Sequence, residues 1–398
     1  MTKRTAHHMT TEHFRAATPG VRDKLFLNSA GASLMPDVVM EDIKTYLNEE
    51  AKTGGYQLAE AKAQEINEFY NEAAKLINSA PHNIAFAANA TDAYSRALSA
   101  IPFKENDVII TSDDDYASNH IHFISLRKRY NIKVFRVKNL ENGELDIIHF
   151  KALIERYHPK LVAVTHIPTS SGLIQNVEAI GEICRKHQII YLLDACQSVG
   201  QIPVDVKNIQ CDFLSTTGRK FLRGPRGTGF LFVSDRLLNA GYIPLYIDLR
   251  GAVWTENNHY TIIESAKRFE TWELPYALLI GYKAALSYAN AIGMENVARY
   301  NKELMKQLGE NLRSIPGLNL FDKGTKTGSI LTFRKEGVSL AETKKTLDTH
   351  RVYYSVSHRE TALIDFDKKG IDWAIRLSPH YFNTLEEMDK VAEIIKVL

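Results

Sequence analysis

The chain has 398 residues, 44% hydrophobic and 24% charged, which excludes disordered and fibrous classes and leaves room for two domains around a large core. Its 49 Lys and Arg face 47 Asp and Glu, so the basic excess of a dedicated nucleic-acid binder is missing. The N-terminal MTKRTAHHMTTEHF lacks a signal peptide's apolar run, and no stretch approaches the roughly 20 apolar residues of a membrane helix. Cys184, Cys196 and Cys211 show no metal spacing; free thiols in a cytoplasmic protein without a metal are expected.

In chain order, KTYLNEEAKTGGYQLAEAKAQEINEFYNEAAKLI predicts two helices split at Gly54-Gly55. From about residue 85 to 235, apolar runs rich in β-branched residues (NDVIIT, KVFRV, PKLVAVTHI, QIIYLLDA, CDFLSTT, GTGFLFV) alternate with helical spacing such as IIHFKALIERYH and VEAIGEICRKHQ. That alternation predicts βαβ units and an α/β fold with a mostly parallel sheet covered by helices, whose ligand cleft lies beyond the strand C-termini. Two long helical stretches follow, then the short strands GSILTFR, RVYYSVS and WAIRLS and a final helix through LEEMDKVAEIIKVL. This tail predicts a smaller α+β domain packed closely on the first, since no long linker intervenes.

Two stretches carry chemistry. In YLLDACQS, Asp194 follows an apolar run and so ends a buried strand; a buried carboxylate needs a partner, unless it serves only as a helix N-cap. The next strand, CDFLSTT, runs into TTGRKFLRGPRGTG, where Arg219, Lys220, Arg223 and Arg226 stand among glycines. A solvated basic loop is the ordinary reading of such a run. Neighbouring parallel strands, however, would bring Asp194 and Lys220 to one sheet edge. A strand-end Asp and a Lys in a glycine-lined loop suit pyridoxal 5'-phosphate: the lysine forms a Schiff base and the aspartate keeps the pyridine nitrogen protonated.

The order FLNSAGASLMP, NATDAYS, DYASN, THIPTSSG, DACQS, GRKFLRGPRGTGFL, RFETWE and AIRLSPHYFNTLEEMD resembles the class V aminotransferase fold. That group contains cysteine desulfurases and selenocysteine lyases, and the chain looks closest to the branch of isopenicillin N epimerase-like and ergothioneine-pathway C–S lyase enzymes. The resemblance implies fold type I, with a large cofactor-binding domain over 26–284 and a small domain from 1–25 and 285–398. It also implies a homodimer with the active site near the interface, and an amino acid as small-molecule substrate. Lys220 and Asp194 take the roles above. Gln197 and Thr169 would approach the ring's phenolic oxygen, and Tyr116 would stack on the ring where cysteine desulfurases place a His. The phosphate would meet Ala90 and Thr91 at a helix start, with Thr217 and Arg219 completing the cup. Arg376, at the start of a C-terminal strand, would bind the substrate carboxylate, with Asn28 nearby and His358 a candidate second acid. RFETWE resembles a segment that crosses the dimer interface, but Trp272-Glu273 replaces its usual Gly-Thr, so no residue role carries over. Arg223 and Arg226 are expected to be solvated or to face the dimer partner.

Cysteine desulfurases carry an acceptor cysteine on the loop before the C-terminal arginine strand. Here that stretch, YYSVSHRETALIDFDKKGIDWAIR, contains none. Three reactions then start with Lys220 removing the Cα proton: β-elimination by a C–S lyase, which leads, epimerisation, and transamination. A binding protein without turnover is disfavoured by the intact Lys220, Asp194 and Arg376, and a nucleic-acid module by the near-neutral charge.

Overall fold

The computed structural model describes residues 10–398; most of the MTKRTAHHMTTEHF stretch and the beginning of the expected 1–25 segment lie outside the described residues. A two-residue strand, β1 (Leu25–Phe26), precedes the helices Asp37–Thr53, Gly55–Ala61 and Ala63–Leu76. The break expected at Gly54-Gly55 falls at Gly54 alone, whose φ of 91° suits glycine, and a second break at Lys62 makes three helices instead of two.

The strands β2 (Ile84–Ala87), β3 (Val108–Thr111), β4 (Lys133–Arg136), β5 (Leu161–Thr165), β6 (Ile190–Asp194), β7 (Phe213–Thr217) and β8 (Gly229–Val233) form one sheet in the order β2-β8-β7-β6-β5-β3-β4. Neighbours from β7 through to β4 are parallel, as the alternation predicts. β8 alone runs against the rest, antiparallel to both β7 and β2, because the lysine loop turns the chain straight back. All strands but the edge β4 are buried along their length, with helices and apolar clusters on both faces.

Beyond the sheet, β9 (Ala252–Glu256) and β10 (His259–Ile262) form a hairpin with exposed side chains. Helix Tyr276–Ile292 packs on Asp37–Thr53 and Ala63–Leu76, so the domain boundary expected at 284/285 falls inside a helix. A second, antiparallel sheet follows, built from β11 (Leu318–Leu320), β12 (Leu331–Lys335), β14 (Ser355–His358) and β15 (Trp373–Leu377), in the order β11-β12-β15-β14. Its core includes Leu304, Leu308, Phe333, Ile375 and Ile395. The short strand β13 (Val352–Tyr353) leaves this sheet to pair in parallel with β1. Among the described residues, no helix is long and apolar enough to cross a membrane.

Candidate active site

β6 and β7 are parallel neighbours with Asp194 opposite Ser215, so the residues just past both strand ends share one edge of the sheet. A cavity of about 310 Å³ opens there, a size that suits a small ligand. Lys220, Asp194, Tyr116, Ala90, Thr91, Thr169, Gln197, Thr217 and Arg219 all line it. Gly218 is required beside the lysine, because a Cβ there would lie 2.3 Å from Thr228 Oγ1.

Asp194 is only 4% exposed and caps no helix. Its Oδ1 accepts from the Cys196 backbone N–H at 2.9 Å and its Oδ2 from Asn119 Nδ2 at 3.0 Å. Burial, reinforced by the charge of Asp115, pushes its pKa up, and no salt bridge reaches it among the described residues. A buried carboxylate with neutral donors only is poised for a cation. Asn119 holds it from behind, donating also to Asp115 Oδ1 at 2.8 Å, and Asp115 takes further bonds from Thr111, Thr165 and the Tyr116 N–H. Neither Asp115 nor Asn119 was expected from the sequence to act in the site; both lie in the quoted DYASN motif. Lys220 is 7% exposed, and burial above all, with the charges of Arg219 and Arg376, lowers its pKa against the opposing influence of Cys196 and Asp194. Its amine is thus moved toward the neutral form, which can take a proton.

At one end of the cavity, helix Ala90–Ser99 begins. Its N-cap is Asn89, which accepts from Asp92 N at 2.9 Å, so Thr91 is not a cap and its hydroxyl is free for another role. The N–H groups of Ala90 and Thr91 have no acceptor within the helix, as at any helix start. Thr217 Oγ1 donates to Thr228 O at 3.1 Å.

Arg376 does not line the cavity itself but stands behind its wall, bonded to the lining residue Thr169. It is the fourth residue of β15, not at the strand's start as expected, and 8% exposed. Nη1 donates to Thr169 O at 3.0 Å and to Thr169 Oγ1 at 2.7 Å, and Nη2 to Ser355 Oγ at 3.2 Å; Nε is buried without a partner. Burial first, then Arg219, lowers its pKa to about 10. Ser355, paired with Arg376 across β14 and β15, donates to Asn28 Oδ1 at 2.6 Å. Asn28 therefore stands a further step back, behind Arg376 and Ser355, and does not line the cavity either.

Gln197 spends both amide protons, on Thr169 Oγ1 at 3.0 Å and Ala30 O at 3.2 Å, leaving its buried oxygen unpartnered. Thr169 Oγ1 accepts from both Gln197 and Arg376, so of the two residues expected at a ring oxygen, Thr169 is the one with a proton to offer. His358 sits at the end of β14 opposite Trp373, exposed and outside the cavity lining; the structure does not bring it to the site. Nor is Arg223 solvated. It is 1% exposed, with Nε on Leu34 O at 2.8 Å, Nη1 on Tyr381 OH at 2.9 Å, Nη2 on Thr18, and the Phe382 ring 4.6 Å away. The sequence showed it as one cation of a run; only the packing shows it as a clamp.

A carboxylate awaiting a cation, a buried amine beside it and a helix start with free N–H groups fit the ring nitrogen, aldehyde and phosphate of pyridoxal 5'-phosphate in turn.

The family model for aminotransferase class V matches residues 25–391. A probable cysteine desulfurase of Methanothermobacter thermautotrophicus is 28% identical over 394 residues, 98% of each chain. Another, of Synechocystis sp., is 29% identical and covers 92% of this chain and 88% of that protein. Among solved structures, the apo cysteine desulfurase of Thermococcus onnurineus NA1 matches with a TM-score of 0.91 and 24% identity over 99% of each chain. The cystine C–S lyase C-DES, in complex with its reaction product cysteine persulfide, matches with a TM-score of 0.84 and 21% identity over 95% of this chain and 99% of its own. At these identities the solved structures show a shared fold.

Proposed function

Because the chain belongs to the class V aminotransferase family and is a pyridoxal 5'-phosphate-dependent enzyme, we propose that it is a C–S lyase that acts on cysteine or a cysteine conjugate by direct β-elimination. The placement of the cysteines carries this reading. The stretch from Tyr353 to Arg376 contains none. Cys184 and Cys211 are buried away from the cavity. Cys196 lines the wall between Asp194 and Gln197, but burial pushes its thiol pKa up, and a protonated thiol is a poor acceptor for sulfur.

The cofactor supplies an electron sink for the bond broken at the substrate Cα. Arg376 holds the substrate carboxylate through its guanidinium, with Thr169 and Ser355 fixing the fork. Lys220, moved toward its neutral form, takes the Cα proton. Asp194 would hold the proton at the ring nitrogen of the bound cofactor, with Asn119 keeping that carboxylate aimed. Tyr116 provides an aromatic wall without an imidazole. The Cβ–S bond then breaks with its electron pair going to sulfur, which leaves as a thiol. Water converts the three-carbon fragment to pyruvate and ammonia.

Epimerisation needs a second acid facing the substrate, and the exposed position of His358 favours elimination. The exposed Leu245, Tyr246, Trp254 and Trp272 support docking of a second copy, the homodimer implied by the resemblance.

Proton NMR in D2O with L-cysteine, cystine and S-substituted cysteines tests this reading. Pyruvate and ammonia are expected. Alanine with a protein-bound persulfide would return the enzyme to the desulfurases. Loss of the Cα–H signal without a keto product would make it an epimerase, and a keto acid that retains sulfur an aminotransferase.

A further inference from the structure

The two arginines that line the cavity, Arg219 and Arg226, have different surroundings. Arg219 belongs with Arg376: Nη1 donates to Gly31 O, and its carbonyl accepts from Ser33 N at 2.8 Å. Gly31 in turn abuts the side chain of Asn28, which is joined through Ser355 to Arg376. The Arg219 charge also lowers the pKa of Arg376, as nearness requires.

The end formed by Ala90 and Thr91 is different. The charged side chains of that helix's first turns, Asp92 and Arg96, are paired with each other at 2.8 Å, and Asp92 also accepts from Ala88 N at 3.0 Å. They offer no net cation to a dianion. The lysine loop, however, returns at this end. A Cβ on Gly229 would lie 3.0 Å from the Asn89 carbonyl carbon, and Thr228 O binds Thr217. Arg226 projects from that return beside Gly227, whose φ of 82° forms the turn. Arg226 lines the cavity, is exposed, and forms no salt bridge among the described residues.

We infer that Arg226 is the cation that binds the cofactor's phosphate, and that Arg219, expected there from the sequence, serves the carboxylate end instead. Two unlike anions are thereby met by different arginines of the same loop. The inference rests on the cofactor, not on the choice among lyase, epimerase and aminotransferase.

The test uses the full chain, stripped of cofactor and titrated with pyridoxal 5'-phosphate, with pyridoxal, and with inorganic phosphate as competitor. Arg226→Gln should weaken pyridoxal 5'-phosphate binding about tenfold to a hundredfold and leave pyridoxal binding unchanged, as loss of a charge-assisted contact to phosphate requires. Inorganic phosphate should then compete less well than with the unsubstituted protein. Arg219→Gln should hold its affinity for pyridoxal 5'-phosphate and raise the KM for the amino acid. Equal weakening of both aldehydes by Arg226→Gln, unchanged affinity for both, or a change of oligomeric state alone would overturn the assignment. If the unsubstituted protein took up neither aldehyde, the cofactor itself would be in error, an outcome separate from the fate of Arg226.

Discussion

Lys220 and Arg223 stand three residues apart in the same loop, and both are buried, yet their surroundings are opposite. Arg223 has each of its nitrogens on a protein acceptor and an aromatic ring against its plane. Lys220 has no such set; its charge is destabilised by burial and by two nearby arginines. Arg376 resembles Lys220 more than Arg223, with one nitrogen unpartnered and a lowered pKa. A buried cation with all its partners in the fold holds the fold. A buried cation without them is reserved for something the fold must bind.

Substitution sharpens that contrast. Lys220→Ala should cost about 10³-fold or more in pyruvate formation, with a thermal midpoint at or above that of the unsubstituted protein; retained turnover would remove the lysine from the mechanism. Arg376→Ala should raise the KM for amino acids with a free carboxylate by about a hundredfold, while an α-carboxamide analogue should show no such change. A uniform rise for both would mean that the arginine shapes the pocket only. Arg223→Met, by contrast, should cost about 3 kcal/mol of stability in denaturant unfolding and leave KM unaltered; an altered KM at full stability would blur the division between the two sites.

The smallest effect concerns pH. His166 is buried with Nδ1 unpartnered, and burial lowers its pKa to about 4. The unfolded chain protonates it near pH 6.5 and the folded chain does not, so stability is full above pH 6.5 and falls as pH drops toward 4. At pH 5 the loss is about 2 kcal/mol, and His166→Gln should flatten that part of the acid limb in a stability–pH profile.

The sheet was legible because its strands are short β-branched runs, and the pairing of Asp194 with Lys220 followed from adjacent parallel strands. β2 escaped notice because IAFA is half alanine, and the reversal of β8 because strand direction has no local sequence mark. Ser355 carried no signal either. A lone serine in a strand is unremarkable until the register of β14 with β15 sets it against Arg376. Arg223 was misread because a run of cations looks solvated, and only the distant Thr18, Leu34 and Tyr381 reveal its burial. His358 looks like a candidate acid in SVSHRET, but the register of β14 sets it opposite Trp373 at the exposed end of the strand.

The pairing of β1 with β13 has a consequence for synthesis. Leu25 leaves the ribosome long before Val352, its partner across the ladder. Until then Asn28 has no Ser355 to accept from, while Arg219, made earlier, can already bond Gly31 and Ser33. Such long-range closure is slow to form and is made last. The nascent chain thus leaves Asn28 without Ser355 and Arg223 without Tyr381, so the N-terminal segment and the lysine loop both wait for the last residues of the chain before their contacts are complete.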